Sequence, residues 1–278
     1  MHFIQLTARC AIDLSDILIA ELAELGFDSF EENPKGFSAY VEEEKMDFLE
    51  TKSLMERYSE IGPLSYGLQK IERQNWNQEW ESNFPPIVVD NQILVKAPFH
   101  KLDENYPVVI TIVPKMSFGT GHHATTSQML RFLLKFPPTG KRVLDAGSGT
   151  GILAIMAEKM GATDITAFDN DPWCIENSKE NFELNSCRKC KVHLASTAAG
   201  YTENFDVILA NINKNVLLAE IENYANILNP KGKLFLSGFY EEDIPDLESK
   251  CNQSQLSLID QSAHDNWACL VFSKSPTH

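Results

Sequence analysis

"VLDAGSGTGILA" runs from Val143 to Ala154. Two apolar residues lead to an acid, three glycines then alternate with small residues, and a helix-like stretch follows. A strand, a glycine-rich turn and a helix N-terminus together make a ready nucleotide site. The dinucleotide fingerprint GxGxxG, started at Gly147, needs a glycine at position 152, where this chain has Ile152. The loop instead reads GxGxG, with Asp145 just ahead of it. Glycines let a backbone approach a ligand closely, so Gly147 and Gly149 are candidate cofactor contacts.

An acid at the strand end suits a cationic amino group better than a pyrophosphate. S-adenosylmethionine fits that demand: it carries an amino group, a carboxylate, a ribose and an adenine, and no phosphate. The next strand, "ITAFD", ends at Asp169. A carboxylate at that strand end can accept from both ribose hydroxyls. Asp171 is better placed to cap the helix opening at Pro172. The two motifs predict a class I methyltransferase, an α/β Rossmann-like fold, rather than a dehydrogenase.

Working outward, short apolar strands alternate with amphipathic helices from residue 91 to the end. Helices are expected at Thr125–Phe136, Gly151–Met160, Pro172–Asn185 and Asn215–Leu228. That order predicts a mostly parallel sheet with helices on both faces. The tail "SLIDQSAHDNWACLVFSK" reads as two strands joined by "HDN", an antiparallel end to the sheet.

Residues 1–60 read as a small α+β unit of order β-α-β-β-α, with helices at Asp13–Leu25 and Met46–Tyr58 and a turn "NPKG" between two strands. Residues 61–90 are expected to connect it to a methyltransferase domain at 91–278. Within the connector, Trp76 and Trp80 are four apart, on one face of any helix there, and read as packing residues.

The chain has 278 residues, 43% of them hydrophobic, and a net charge of −15. No run approaches the ~18 apolar residues of a membrane span, and the start shows no basic segment followed by an apolar core. A cytoplasmic protein without membrane partners is expected. Residues 1–60 hold fourteen acids against five bases. Such a lobe disfavours direct nucleic-acid binding and suits a basic partner, although acids also serve solubility alone. The six cysteines are scattered and do not form a disulfide framework. Cys187 and Cys190 make one CxxC, but no second pair lies nearby to complete a zinc site. They read as two reduced thiols in a loop, and no metal is expected.

The stretch "SFGTGHHATT", Ser117–Thr126, precedes the glycine loop. Its backbone and hydroxyls can cover a cofactor, and Thr125 or Thr126 can equally cap the helix that begins there. Phe118 can shield a sulfonium or simply pack. His122 and His123 read as residues that hold the loop through hydrogen bonds rather than as bases. Asn211 ends the strand "FDVILAN", on the cofactor side of the sheet. Its carbonyl can accept from an amine N–H and orient the lone pair toward a methyl group. Alternatively it contacts the cofactor or only ends the strand.

"FGTGHHATT", "VLDAGSGTGILAI", "FDNDP" and "LANI" together resemble the ribosomal-protein methyltransferase family PrmA. The likeness covers most of 70–278, including the pattern of Trp76, Trp80, Phe84 and Pro85. It departs at Ala124, where the family commonly has Pro, and at Asn213, where it commonly has an aliphatic residue. The resemblance implies methylation of amino groups on large-subunit ribosomal protein eleven. It implies cofactor contacts at Thr126, Gly147, Asp169 and Asn211, and substrate recognition by the lobe at 1–60. The alternatives are another protein or small amine as substrate, or a binding module without catalysis.

Overall fold

The computed structural model describes residues 2–72, 84–102, 105–115 and 117–276. Trp76 and Trp80, and the packing expected of them, lie outside these residues. The chain divides into two compact units, residues 1–83 and 84–278.

The first unit holds strands β1 (His2–Arg9), β2 (Ser29–Asn33), β3 (Gly36–Glu42) and β4 (Ser65–Glu72), with helices α1 (Ile12–Glu24) and α2 (Phe48–Ser59). The strands form one antiparallel sheet in the order β2-β3-β1-β4. Leu6, Ala8, Phe37, Ala39 and Val41 face Leu18 and Leu22 of α1 and Leu54 and Met55 of α2 in a single core. Asp47 caps α2, accepting the amides of Leu49 and Glu50. Strand β4 falls where a connector was expected. Tyr66 and Leu68 alternate with exposed Gly67 and Gln69, and such a short half-buried pattern is stabilised by its pairing with β1 and by packing of Tyr66 and Leu68 on the core.

The second unit is built on a seven-stranded sheet of β8 (Arg142–Ala146), β9 (Asp164–Asp169), β10 (Cys190–Leu194), β11 (Phe205–Asn211), β12 (Leu228–Tyr240), β13 (Leu256–His264) and β14 (Trp267–Lys274). The order is β10-β9-β8-β11-β12-β14-β13. The first five are parallel, and β14 runs antiparallel to both β12 and β13. The apolar runs of the central strands are continuous because both faces are covered. Val143, Val207 and Leu209 enter one core, and Leu144, Ile208 and Ala210 enter the other.

Helices α3 (Ala124–Lys135), α4 (Ile152–Lys159), α5 (Pro172–Leu184), α6 (Lys214–Ile227) and α7 (Ile244–Gln253) flank this sheet. The first four match the predicted helices to within a residue or two. Helix α7 has no counterpart among them, since its only buried residues are Leu247 and Cys251. Strands β5 (Ile87–Val89), β6 (Ile93–Lys96) and β7 (Val108–Thr111) form a separate small sheet. Helix α5 holds it, with Asn185 and Asn181 accepting the amides of Thr111 and Val113 at 2.9 and 2.8 Å. No helix among the described residues is long and apolar enough to cross a membrane.

Candidate active site

The carboxyl ends of β8, β9 and β11 meet the segment 117–123 around a cleft of about 500 Å³. A crevice at the carboxyl ends of parallel strands, where the strand order reverses, is where such sheets bind ligands. Gly147, Gly149, Asp169, Asn211 and Phe118 all line it.

The glycine loop is held from two sides. Gly149 has φ +53°, and a Cβ there would sit 2.2 Å from the carbonyl oxygen of Phe118. This glycine is required by the loop above it, not only by a ligand. Thr150 completes the contact, donating its amide to Phe118 at 2.9 Å and its hydroxyl to Gly119 at 2.6 Å. Asp169 ties the loop to the next strand, its Oδ2 accepting the Gly149 amide at 2.8 Å. The Asp169 Oδ1 accepts the amide of Asp171 at 3.0 Å. Asp171 in turn caps α5 through the amide of Trp173.

Asp145 is 1% exposed. Its Oδ2 accepts the amide of Ala154 at 3.0 Å, and its Oδ1 has no partner. Burial pushes its carboxyl up to about 7; the Ala154 amide opposes this and the charge of Asp169 adds to it. Three more buried polar atoms in this unit lack partners: Thr126 Oγ1, Asn211 Oδ1 and the Tyr224 hydroxyl. Buried polar groups are nearly always hydrogen-bonded; of these four residues Asn211 and Tyr224 line the cleft, whereas Thr126 and Asp145 are not among its lining residues.

The threonines do not cap α3. His123 does, its Nδ1 accepting from the amide and hydroxyl of Thr125. The His123 ring also lies edge-on between Phe118 and Trp267, with centroids 5.2 and 4.6 Å away. His122 donates to the carbonyl of Pro85 at 3.0 Å and packs on Phe84. Both histidines therefore hold the loop. Asn213 caps α6, accepting the amide of Val216, which accounts for a polar residue at that place.

Glu220, Tyr224 and Trp267 also line the cleft, and nothing local in the sequence singles them out. Glu220 accepts from the Thr197 hydroxyl and the Ala198 amide, both at 2.7 Å, and so anchors the segment after β10. Burial pushes the Tyr224 hydroxyl well above its ordinary range, with Glu220 and Asp145 adding to the effect.

The profile of the family described as Ribosomal protein L11 methyltransferase (PrmA) matches residues 16–275. The chain belongs to this family. PrmA relatives match it almost end to end. The ribosomal protein L11 methyltransferase of Porphyromonas gingivalis is 43% identical over 272 residues, 97% of this chain and 93% of that one. That of Phocaeicola vulgatus is 39% identical over 270 residues, 96% of each chain. The crystal structure of ribosomal protein L11 methylase from Lactobacillus delbrueckii subsp. bulgaricus shares the fold, with a TM-score of 0.64 and 24% identity over 69% of this chain and 98% of that one. As a PrmA-family protein of class I methyltransferase fold, the chain is an S-adenosylmethionine-dependent enzyme. The cleft fits that cofactor. It offers a carboxylate at a strand end, Asp169, an orphaned acceptor on Asn211, and apolar walls from Phe118, Phe168, Ile212 and Val216.

Proposed function

We propose that this enzyme transfers methyl groups to amino groups of ribosomal protein L11, in the cytoplasm. The carrying observation is the side chain of Asn211. It stands at the end of β11, lines the cleft, and keeps a buried carbonyl oxygen without a partner. An amine N–H is the donor that oxygen lacks.

The chemistry asks for little beyond positioning. When bound, S-adenosylmethionine supplies an electrophilic methyl group on a sulfonium. An attacking amine must be neutral, because an ammonium has no lone pair. A lysine side chain has a pKa of about 10.4 and an α-amine about 8, and desolvation lowers either. Water can then take the proton, and no strong protein base is required. Asp169 is the proposed acceptor for the ribose hydroxyls. Gly147 and Gly149 give the cofactor close backbone approach. Phe118, 53% exposed at the cleft mouth, excludes water from the reacting groups. Asn211 holds the amine with its lone pair directed, an entropic contribution to rate.

The first unit is the proposed recognition domain. Its acids would draw a basic ribosomal protein and orient its approach. The test is a labelled-methyl assay with purified ribosomal protein L11 beside the other large-subunit proteins. Label on L11 amines is expected. Label confined to another protein, or absent, overturns the substrate.

A further inference from the structure

We propose that Glu158, Cys187 and Cys190 form a binding site for one zinc ion that ties the edge of the seven-stranded sheet to α4. The carboxylate and both sulfurs lie within 4.8 Å of one another. The Cys190 sulfur is 3.2 Å from Oε2 of Glu158. None of the three residues lines the catalytic cleft.

Backbone structure fixes each ligand. Helix α5 ends with Ser186 in the left-handed region, at φ +56°. The Ser186 amide reaches the Glu183 carbonyl and the Cys187 amide reaches that of Phe182, both at 2.9 Å. This double closure is the Schellman motif, and it places Cys187 immediately after the turn. Cys190 is the first residue of β10, in register with Ile165 of β9. Between them the chain wraps the carboxylate of Glu158. The amides of Arg188 and Lys189 donate to Oε1 and Oε2 at 2.9 and 3.0 Å. The carboxylate is thereby aimed before any ion arrives.

The donor set selects the ion. Two thiols and one carboxylate suit zinc, which takes sulfur and oxygen ligands in a tetrahedron, and do not suit calcium or magnesium, which take oxygen. The CxxC supplies the usual half of a structural zinc site, and Glu158 supplies the third ligand from a neighbouring helix. All three residues are half-buried at the surface, so water can take the fourth position. Binding expels one proton from each thiol to solvent. Two thiolates and a carboxylate leave a net charge of −1 around a divalent ion. Lys159, Arg188 and Lys189, each next to a ligand in the sequence or between the two cysteines, offset it.

The full-length protein, reduced and stripped with a chelator, is titrated with zinc chloride against a chromophoric chelator. One zinc per chain is expected. Cys187→Ser and Glu158→Gln should each weaken binding by more than about tenfold, and the double variant Cys187→Ser/Cys190→Ser by more than about 100-fold, beyond the loss of an outer-shell partner. Cys10→Ser, in the other unit, should change nothing. Cobalt should bind the wild type with thiolate-to-metal charge-transfer absorption, a readout that needs no variant to fold. Zinc binding by wild type no tighter than by the double variant overturns the proposal. So does a cobalt spectrum without the charge-transfer band. So does a Cys187–Cys190 disulfide whose reduction restores no zinc binding.

Discussion

The carboxylate of Asp169 accepts the backbone amide of Gly149 at 2.8 Å. The acid that would hold the ribose is thus also the clasp that joins the glycine loop to β9. This makes two substitutions informative where one would not be. Asp169→Ala should weaken S-adenosylmethionine binding by roughly tenfold to a hundredfold, the worth of a hydrogen bond to a charged group. It should also lower the unfolding midpoint, because the amides of Gly149 and Asp171 both lose an acceptor. Asp169→Asn keeps one acceptor oxygen and should fall between on both scales. Calorimetry beside chemical denaturation separates the effects. Wild-type affinity in a folded Asp169→Ala protein would remove the ribose role.

Asp145 gives a prediction about pH. Its carboxyl is raised from 3.8 to about 7, chiefly by burial. The folded state therefore binds a proton more tightly than the unfolded chain. The stability this provides is fully present below pH ~4 and is lost as the pH climbs to about 7. The loss is about 4 kcal/mol at most, taking about 1.4 kcal/mol per pH unit. Asp145→Asn cannot titrate. Urea unfolding of the cofactor-free protein at pH 5 and pH 7.5 should show a larger drop for the wild type than for the variant. Equal drops would mean that Asp145 is charged throughout.

The glycine loop, Asp169 and the alternation of strands and helices were legible because each is a local pattern. Asp171 as a cap follows from its place before Pro172. What escaped depends on partners distant in the chain. Strand β4 has too few apolar residues to declare itself without β1 beside it. Helix α7 carries one buried pair. Thr125 and Thr126 look like caps, but the His123 ring reaches the Thr125 amide first. Tyr224 and Glu220 sit mid-helix, and only the packing of α6 turns them toward the cleft. The CxxC looked incomplete because its third candidate ligand, Glu158, comes from α4, on the far side of β9 in sequence.

Asn211 allows chemistry and binding to be told apart. If its carbonyl orients the amine, Asn211→Ala should lower kcat by about 100-fold, the cost of a misplaced reactant, while cofactor affinity changes far less. An interaction made mainly in the transition state appears in kcat and kcat/KM alike. Asn211→Asp keeps an acceptor and adds charge, which favours a protonated amine. Its pH–rate profile should move to higher pH. Normal turnover at saturation, with poor cofactor binding, would make Asn211 a cofactor residue only.

The acidic first unit is tested best in the intact chain. A deletion at residue 60 would leave β4 without its sheet, since residues 65–72 pair with β1. Charge reversal avoids this. Glu24 and Glu50 are exposed and line one groove of the first unit, together with Glu21 and Arg57. Neither is part of the core, so Glu24→Lys/Glu50→Lys should fold normally. If the groove draws a basic protein, the double variant should raise KM for ribosomal protein L11 by about 2- to 30-fold, taking 0.2–1 kcal/mol for each exposed pair lost. The kcat should hold, because the cleft lies in the other unit. Raising salt should raise the wild-type KM toward that of the variant, as screening removes the attraction. A KM that ignores both the substitutions and the salt would leave the acids of this groove to solubility alone.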